Sequence, residues 1–267
     1  MNDSWYNLRR FTQARIAQGR VGCGLPTAAL LDFQLAHAAA RDAVHQPWDV
    51  AGFAERVERL GLETLILATP VASRQQYLQR PDRGRCLAES SRQLLETRCT
   101  QAVDVALIVS NGLSSTALDR HGLALLEAVV AAYRSSSLTL GPICLVANAR
   151  VALADQIGAL LKARLVVIIV GERPGLSAAD SLGAYLTYAP KIGNTDAERN
   201  CISNIRPPDG LSYPAAAAKL AYLGNQALMR GVSGVMLKDD MPTDRLCGDA
   251  HTIQSPLSRQ EDNPSLL

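Results

Sequence analysis

One run of residues constrains the fold more than any other. Leu165–Val170 reads LVVIIV, six apolar residues of which five are β-branched. Such side chains favour strands, and a strand without apolar–polar alternation is typical of a parallel sheet covered by helices on both faces. Shorter apolar runs at 64–68, 103–109 and 142–147 alternate with helical patterns. This alternation predicts an α/β fold, with a mostly parallel sheet flanked by helices.

The first sixty residues carry helical patterns and no convincing strand. Helices are predicted over 6–19, 26–46, 48–60, 83–98, 123–133 and 151–162, and from Pro214 onward. Additional strands are predicted at 186–189, around Cys201 and over 232–237. The chain therefore divides into a helical N-terminal segment (1–60), an α/β domain (61–238) and a polar C-terminal tail (239–267).

The composition excludes several classes of protein. The 27 basic and 25 acidic residues give a net charge of +2, which argues against a dedicated nucleic-acid binder. No apolar run approaches the roughly 18 residues of a membrane span, and the polar N-terminus does not resemble a signal peptide. The six cysteines have no paired spacing. They favour a reducing cytoplasm over a zinc site or a disulfide framework.

Ligands of open parallel sheets bind beyond the carboxyl ends of the strands. This rule selects 110–115, Arg150–Val151 and 171–175 as candidate ligand loops. In the last of them, Glu172 and Arg173 precede a proline–glycine pair suited to the centre of a type II turn. The alternatives are a solvated turn for 171–175, and helix capping for Ser110 and Ser114.

Self-contained catalysis receives little support. No strand is followed by G-x-G-x-x-G, which argues against a nicotinamide-dependent oxidoreductase, and G-x-S-x-G is absent. None of the four histidines follows a strand, so we expect surface or helix-cap roles for them, His121 included. Cys201 lies in a polar segment, and the simplest interpretation is a small buried apolar residue.

Four strings occur in order along the chain: Tyr77–Arg85 (YLQRPDRGR), Asp155–Gly158 (DQIG), Val170–Leu176 (VGERPGL) and Cys201–Ile205 (CISNI). Together they resemble the small (light) subunit of ethanolamine ammonia-lyase, over roughly residues 8–237. The resemblance implies a Rossmann-like α/β domain preceded by a helical N-terminal part.

The resemblance also implies a function. The family's enzyme uses adenosylcobalamin to convert ethanolamine to acetaldehyde and ammonia by radical chemistry. Its substrate site lies on a large subunit, and cobalamin is held between the two subunits. Matched motif by motif, Val151, Glu172 and Cys201 correspond to the family's cobalamin contacts. Their implied neighbours are Arg150, Arg173, Ser110 and Asn111. No catalytic or metal-binding residue is implied on this chain.

Some features depart from the family. Asn111 stands where an aspartate is usual, and the tail after Lys238 extends past the usual end. The N-terminal extension that can direct the enzyme into a bacterial microcompartment is reduced, so the expected location is the cytoplasm or such a compartment. The alternative function is a stand-alone Rossmann-like small-molecule-binding or regulatory module without lyase activity, which would lack a large-subunit partner.

Overall fold

The structure is a computed structural model that describes residues 5–98 and 101–242. Six strands form one sheet in the order β1-β3-β2-β4-β5-β6. The strands are β1 (Thr64–Leu67), β2 (Val105–Ser110), β3 (Ile143–Val146), β4 (Leu165–Gly171), β5 (Leu182–Tyr188) and β6 (Arg199–Ile205). The helices are α1 (Thr27–His45), α2 (Val50–Glu58), α3 (Arg74–Gln79), α4 (Glu89–Arg98), α5 (Ser115–Ala117), α6 (Leu123–Ser135), α7 (Leu153–Leu160) and α8 (Tyr213–Arg230).

The sheet is mixed, with parallel pairing predominating. β1, β3, β2 and β4 pair in parallel, whereas β5 pairs antiparallel with both β4 and β6. The predicted α/β fold with a mostly parallel sheet is confirmed, and the last two strands form its antiparallel part.

Both faces of the sheet are covered, which explains why the central strands do not alternate. On β2, Leu107 packs with α2, α6 and α8 on one face, while Ile108 packs with α4 and α7 on the other. Every residue of β2, β3 and β4 is buried. Because water reaches neither face, an apolar residue is favoured at each position.

The strand predicted over 232–237 is wrong. Gly234–Met236 forms a 3-10 turn, and its backbone is held by one side chain. The Asn200 side chain accepts from the Gly234 N–H at 2.7 Å and donates to the Leu237 carbonyl at 2.8 Å. The segment is thus anchored by a side chain of β6 instead of a strand ladder.

Two predicted helices are shorter than expected. Within 6–19 only Tyr6–Phe11 is helical, as a 3-10 turn, because the backbone becomes extended at Thr12. Within 83–98 the chain is extended at Cys86, so that a 3-10 turn is separated from α4. The Leu87 N–H donates there to the Gln156 side chain at 2.9 Å. This long-range hydrogen bond replaces the one that the Leu87 N–H would make in a continuous helix, and the helix is interrupted there.

Most of the tail predicted over 239–267 lies outside the described residues, as do Cys99, Cys247 and His251. Among the helices of residues 5–98 and 101–242, none has the length and apolarity to cross a membrane.

Candidate ligand-binding site

Two clefts adjoin each other: the β4 cleft opens where the central strands end, and the β6 cleft lies beside the middle of β5 and the beginning of β6. The β4 cleft, of about 430 Å³, is lined mainly by residues 112–113 and 170–173. The β6 cleft, of about 480 Å³, is lined mainly by residues 194–196, Arg199 and Cys201. Both share Arg150, Val151 and Tyr185 as a common wall.

The three predicted site residues lie on these walls. Glu172 lines the β4 cleft, Cys201 lines the β6 cleft, and Val151 lines both. A further cleft of about 410 Å³ lies where β1 and β3 begin, and it contains none of the three. Ligands of parallel sheets gather at the carboxyl ends of strands, which selects the β4 cleft, and the β6 cleft joins it through the common wall; the two clefts together form the candidate site.

Two glycines allow the floor of the β4 cleft to form. The Leu113 N–H donates to the Gly171 carbonyl at 2.9 Å, which brings the turn after β2 against the end of β4. A Cβ at Gly171 would overlap the Ser114 carbonyl, and one at Gly112 would overlap the Val170 side chain. Gly112 also has φ +46°, a conformation that side chains disfavour. The close approach therefore requires glycine at both positions.

Glu172 is oriented by its neighbours. Its Oε2 accepts from the Ser181 hydroxyl at 2.6 Å and from the Asn204 N–H at 3.3 Å. Gly183 leaves room for the carboxylate, because a Cβ there would lie 2.9 Å from Oε1. One carboxylate oxygen is thus held, and the described residues provide no donor to Oε1, which can accept from a ligand.

The loop after Glu172 differs from the predicted type II turn. That turn needs a positive φ at its second central residue, and Gly175 does not have one. Instead the Gly175 N–H donates to the Ala178 carbonyl at 2.9 Å, within a longer loop. Arg173 is exposed on this loop at the edge of the β4 cleft.

Cys201 is exposed on the cleft wall, so the interpretation as a buried apolar residue is wrong. Partial burial raises the pKa of its thiol, although a hydrogen bond with Tyr185 opposes the shift. Burial also raises the pKa of Tyr185, which faces Cys201 across the β5–β6 pair. Both groups are therefore neutral at pH 7, and Cys201 is poorly suited to act as a thiolate nucleophile.

A buried ion pair supports the β6 cleft from below. The Arg199 guanidinium donates to the Asp155 carboxylate at 2.6 Å and to the Asn194 carbonyl at 2.9 Å. Each of the paired side chains is only 3 % exposed. Burial raises the pKa of Asp155, opposed by its hydrogen bond to Arg199. The pair ties β6 to α7 and leaves Arg199 compensated.

Tyr77 forms a platform beneath the common wall. The ring is completely buried, and its hydroxyl donates to the Ala149 carbonyl at 3.1 Å. The Arg150 guanidinium lies 4.3 Å from the ring centroid, and that of Arg74 lies 4.9 Å from it. A Cβ at Gly84 would come within 2.9 Å of the ring and 3.1 Å of the Arg150 side chain. The motif at 77–85 thus supplies both the platform and the space beside it.

The turn after β2 is used for internal contacts. Ser114 caps the following helix, as its Oγ accepts from the Ala117 N–H at 3.2 Å. Ser110 does not cap that helix: its Oγ accepts from the Ala149 N–H at 3.1 Å and joins the β2 and β3 loops. Asn111 is buried, and its side chain accepts from the Asn148 N–H at 2.8 Å. Neither Ser110 nor Asn111 lines the two clefts.

The surface or helix-cap role expected for His121 is wrong. His121 is buried, with Nδ1 2.7 Å from the Tyr213 hydroxyl and Nε2 3.4 Å from the Asp180 carboxylate. Burial raises the pKa of Asp180, but hydrogen bonds from Arg120 and Arg206 outweigh this and lower it to about 2. Asp180 precedes Ser181, so this charged network fixes the residue that holds Glu172.

Sequence reasoning missed Tyr77, Arg85 and Tyr185 as parts of the site. Tyr77 and Arg85 belong to the first of the four strings, which indicated a family without indicating a role. Tyr185 carries no motif at all, and its place opposite Cys201 follows only from the β5–β6 register.

The fold and the candidate site together define an α/β protein with two adjoining open clefts, one of them at the carboxyl ends of its central strands. Within residues 5–98 and 101–242, no cluster of histidine, cysteine and acidic side chains is arranged to hold a metal ion. Comparison with known proteins then gives the family. Residues 2–238 match the model of the ethanolamine ammonia-lyase light chain (EutC), and the chain belongs to this family.

Curated relatives agree with this assignment. The ethanolamine ammonia-lyase small subunit of Azotobacter vinelandii is 51 % identical over 247 residues, covering 91 % of each chain. That of Ralstonia nicotianae is 52 % identical over 88 % of each chain. That of Pseudomonas putida is 48 % identical, covering 100 % of this chain and 96 % of its own. The family is thus one of carbon–nitrogen lyase subunits, in which the activity belongs to the assembled enzyme.

Proposed function

We propose that this chain is the small subunit of an adenosylcobalamin-dependent ethanolamine ammonia-lyase, and that its two clefts hold part of the cobalamin against a large subunit. The observation that carries the proposal is the placement of Val151, Glu172 and Cys201 on the walls of two adjoining clefts, one of which opens at the carboxyl end of β4. These positions match the family's cobalamin contacts, and they come together from three separate parts of the sequence.

The chemistry of the cleft walls fits such a cofactor. The rim of a corrin carries amide side chains, which donate and accept hydrogen bonds. Glu172 offers the acceptor Oε1 to their amide N–H groups. Val151, Leu113 and Val170 provide apolar surface against the macrocycle. When bound, adenosylcobalamin supplies the radical chemistry that converts ethanolamine to acetaldehyde and ammonia.

In the assembled enzyme, the residues of this chain bind the cofactor and orient it. Glu172, held by Ser181 and Asn204, fixes one side of the cofactor. The neutral Cys201–Tyr185 pair adds an uncharged part to the wall beside the cofactor. The clefts are open to solvent in this chain, which supports the proposal that a second subunit covers the ligand.

The N-terminal part offers a surface for that second subunit. Helix α1 has 19 residues and buries only Ala43. Large apolar side chains are exposed on α1 and on the chain before it: Trp5, Tyr6, Leu8, Phe11, Val21, Leu25, Leu30, Leu31, Phe33 and Leu35. We call these ten side chains the N-terminal apolar surface. Apolar surface concentrated in this way usually marks a protein interface, and we propose that it docks onto the large subunit.

Replacing Glu172 with alanine tests the cofactor site. We expect the assembled complex to bind adenosylcobalamin about tenfold more weakly, because an acceptor for the corrin amides is lost. Binding is measured by equilibrium dialysis with absorbance detection, and folding by circular dichroism. Glu63→Ala, in the cleft at the opposite end of the strands, is the matched control and should bind normally. Unchanged affinity in Glu172→Ala would contradict the site.

Replacing Leu31 and Leu35 together with aspartate tests the partner surface. We expect co-purification with the large subunit to be lost while the isolated chain keeps its unfolding temperature, since both side chains are exposed. Met229→Asp, at a residue of α8 that is 70 % exposed, is the control and should still assemble. Normal assembly of the double variant would exclude these two residues from the interface.

An activity assay tests the function as a whole. This chain, a large subunit and adenosylcobalamin together should release acetaldehyde from ethanolamine, and omission of any one should abolish release. Turnover by this chain alone, or no dependence on it, would contradict the proposal and favour the stand-alone binding module.

A further inference from the structure

Arg150 is the charged residue of the common wall that it forms with Val151 and Tyr185. Its backbone is fixed, because its N–H donates to the Gly84 carbonyl at 2.7 Å. Its guanidinium stacks on the buried Tyr77 ring. Its Nε is buried without a hydrogen-bond partner among the described residues. Its terminal nitrogens make no hydrogen bond within residues 5–98 and 101–242 either, so the guanidinium, which lines both clefts, keeps those donors for a ligand.

The charges around Arg150 are unbalanced. Among the other charged residues lining the two clefts, Arg199 is paired with Asp155 and Asp196. Within the described residues, Arg150, Arg85 and Arg173 have no ion pair with a carboxylate, and Glu172 accepts only from uncharged donors. Positive charge is therefore in excess where the β4 and β6 clefts meet. Such an arrangement favours an anionic ligand group.

We propose that Arg150 binds the phosphodiester of the cobalamin's nucleotide loop, an inference that rests on the proposed function. The phosphodiester carries a negative charge at the periphery of the cofactor, whereas the corrin side chains are neutral amides. A guanidinium presents a planar set of donors that matches phosphate oxygens. The Tyr77 platform holds this set in one orientation, so little side-chain freedom is lost on binding.

The test compares cofactors with and without the phosphodiester. Equilibrium binding of adenosylcobalamin and of adenosylcobinamide, which lacks the nucleotide loop, is measured on the complex with the large subunit. We expect Arg150→Gln to bind adenosylcobalamin about tenfold to a hundredfold more weakly and adenosylcobinamide as tightly as the unchanged protein does. Adenosylcobinamide phosphate should gain affinity over adenosylcobinamide in the unchanged complex, but not in the variant.

Two further variants keep the test decisive. Arg150→Lys retains the charge without the planar donor set, and it should show a smaller loss that is again confined to the phosphate-bearing cofactors. Arg134→Gln, in the cleft at the opposite end of the strands, is the matched control and should bind all three cofactors as tightly as the unchanged protein does. Circular dichroism and co-purification confirm that each variant folds and assembles.

The possible failures are distinguishable. Equal weakening toward all three cofactors in both Arg150 variants, or no weakening in either, would overturn the role of Arg150 and leave cobalamin binding intact. Failure of the unchanged complex to bind any of the three would instead overturn the proposed function.

Discussion

Strand β4 and helix α1 are both rich in apolar residues, but the chain uses them in opposite ways. All seven residues of β4 are buried, whereas the 19 residues of α1 bury one. The apolar side chains of β4 stabilise this chain's own fold. Those of α1 contribute almost nothing to it, and the proposed docking onto a large subunit would bury them. Apolar content alone therefore does not reveal whether a segment serves folding or assembly.

The largest effect should come from the sheet core. Leu107→Ala removes a side chain that is 1 % exposed, and we expect a loss of about 4 kcal/mol in the free energy of unfolding because a cavity remains. Leu35→Ala on α1, where the side chain is 72 % exposed, should cost less than about 0.5 kcal/mol. Urea unfolding of the isolated chain measures both. Similar losses at the two sites would show that α1 contributes as much to the stability of the isolated chain as the sheet core does.

The next largest difference in the free energy of unfolding should separate alanine substitutions at two glycines with positive φ, Gly112 and Gly22. Gly112→Ala places a Cβ into the Val170 side chain at φ +46°, and we expect a loss of about 3 kcal/mol from overlap and backbone strain. Gly22, before α1, has φ +62° but nothing within 4 Å of an added Cβ. Gly22→Ala should therefore cost only the backbone strain, about 1–2 kcal/mol. Urea unfolding measures the free energy of unfolding of both variants. An equal cost would show that the Val170 side chain can move away from a Cβ at residue 112.

A smaller, pH-dependent difference should separate two aspartates. Asp180 is held by Arg120 and Arg206, and its pKa of about 2 lies below the ordinary value of 3.8. A depressed pKa stabilises the fold above about pH 4, and this stabilisation is lost as the pH falls toward 2. Asp180→Asn should therefore cost about 2 kcal/mol at pH 6 and progressively less below pH 4.

The control is Asp42→Asn on α1, which affects an exposed pair with Arg41 at 3.8 Å. Exposed pairs contribute little, so its stability should follow that of the unchanged protein across the same pH range. Urea unfolding between pH 3 and 7 checks both variants. A cost for Asp180→Asn that does not change with pH would contradict the charged network.

The sequence predicted the central strands well, because their signal is local. The unbroken apolar run of β4 directly reflects burial on both faces. The sequence predicted the segment 232–237 wrongly, because the Asn200 side chain that anchors this segment lies more than thirty residues away. His121 was misjudged for a similar reason: its partners Asp180 and Tyr213 are distant in sequence.

The candidate site was predictable from the sequence only where its residues follow a parallel strand. Glu172 and Val151 follow strands, so the rule for parallel sheets selected their loops without knowledge of the family. Cys201 required the resemblance, because it lies within an antiparallel strand to which that rule does not apply. Tyr185 required the register of β5 against β6, which no pattern in a single sequence reveals.

The N-terminal apolar surface has a consequence for how the chain is produced in a cell. A copy without its partner exposes ten large apolar side chains to other copies and to unrelated proteins. We expect such copies to self-associate as their concentration rises. Through the proposed docking, synthesis matched to the amount of large subunit would limit this, so the proportion in which the two polypeptides are made becomes a condition for keeping this chain in solution.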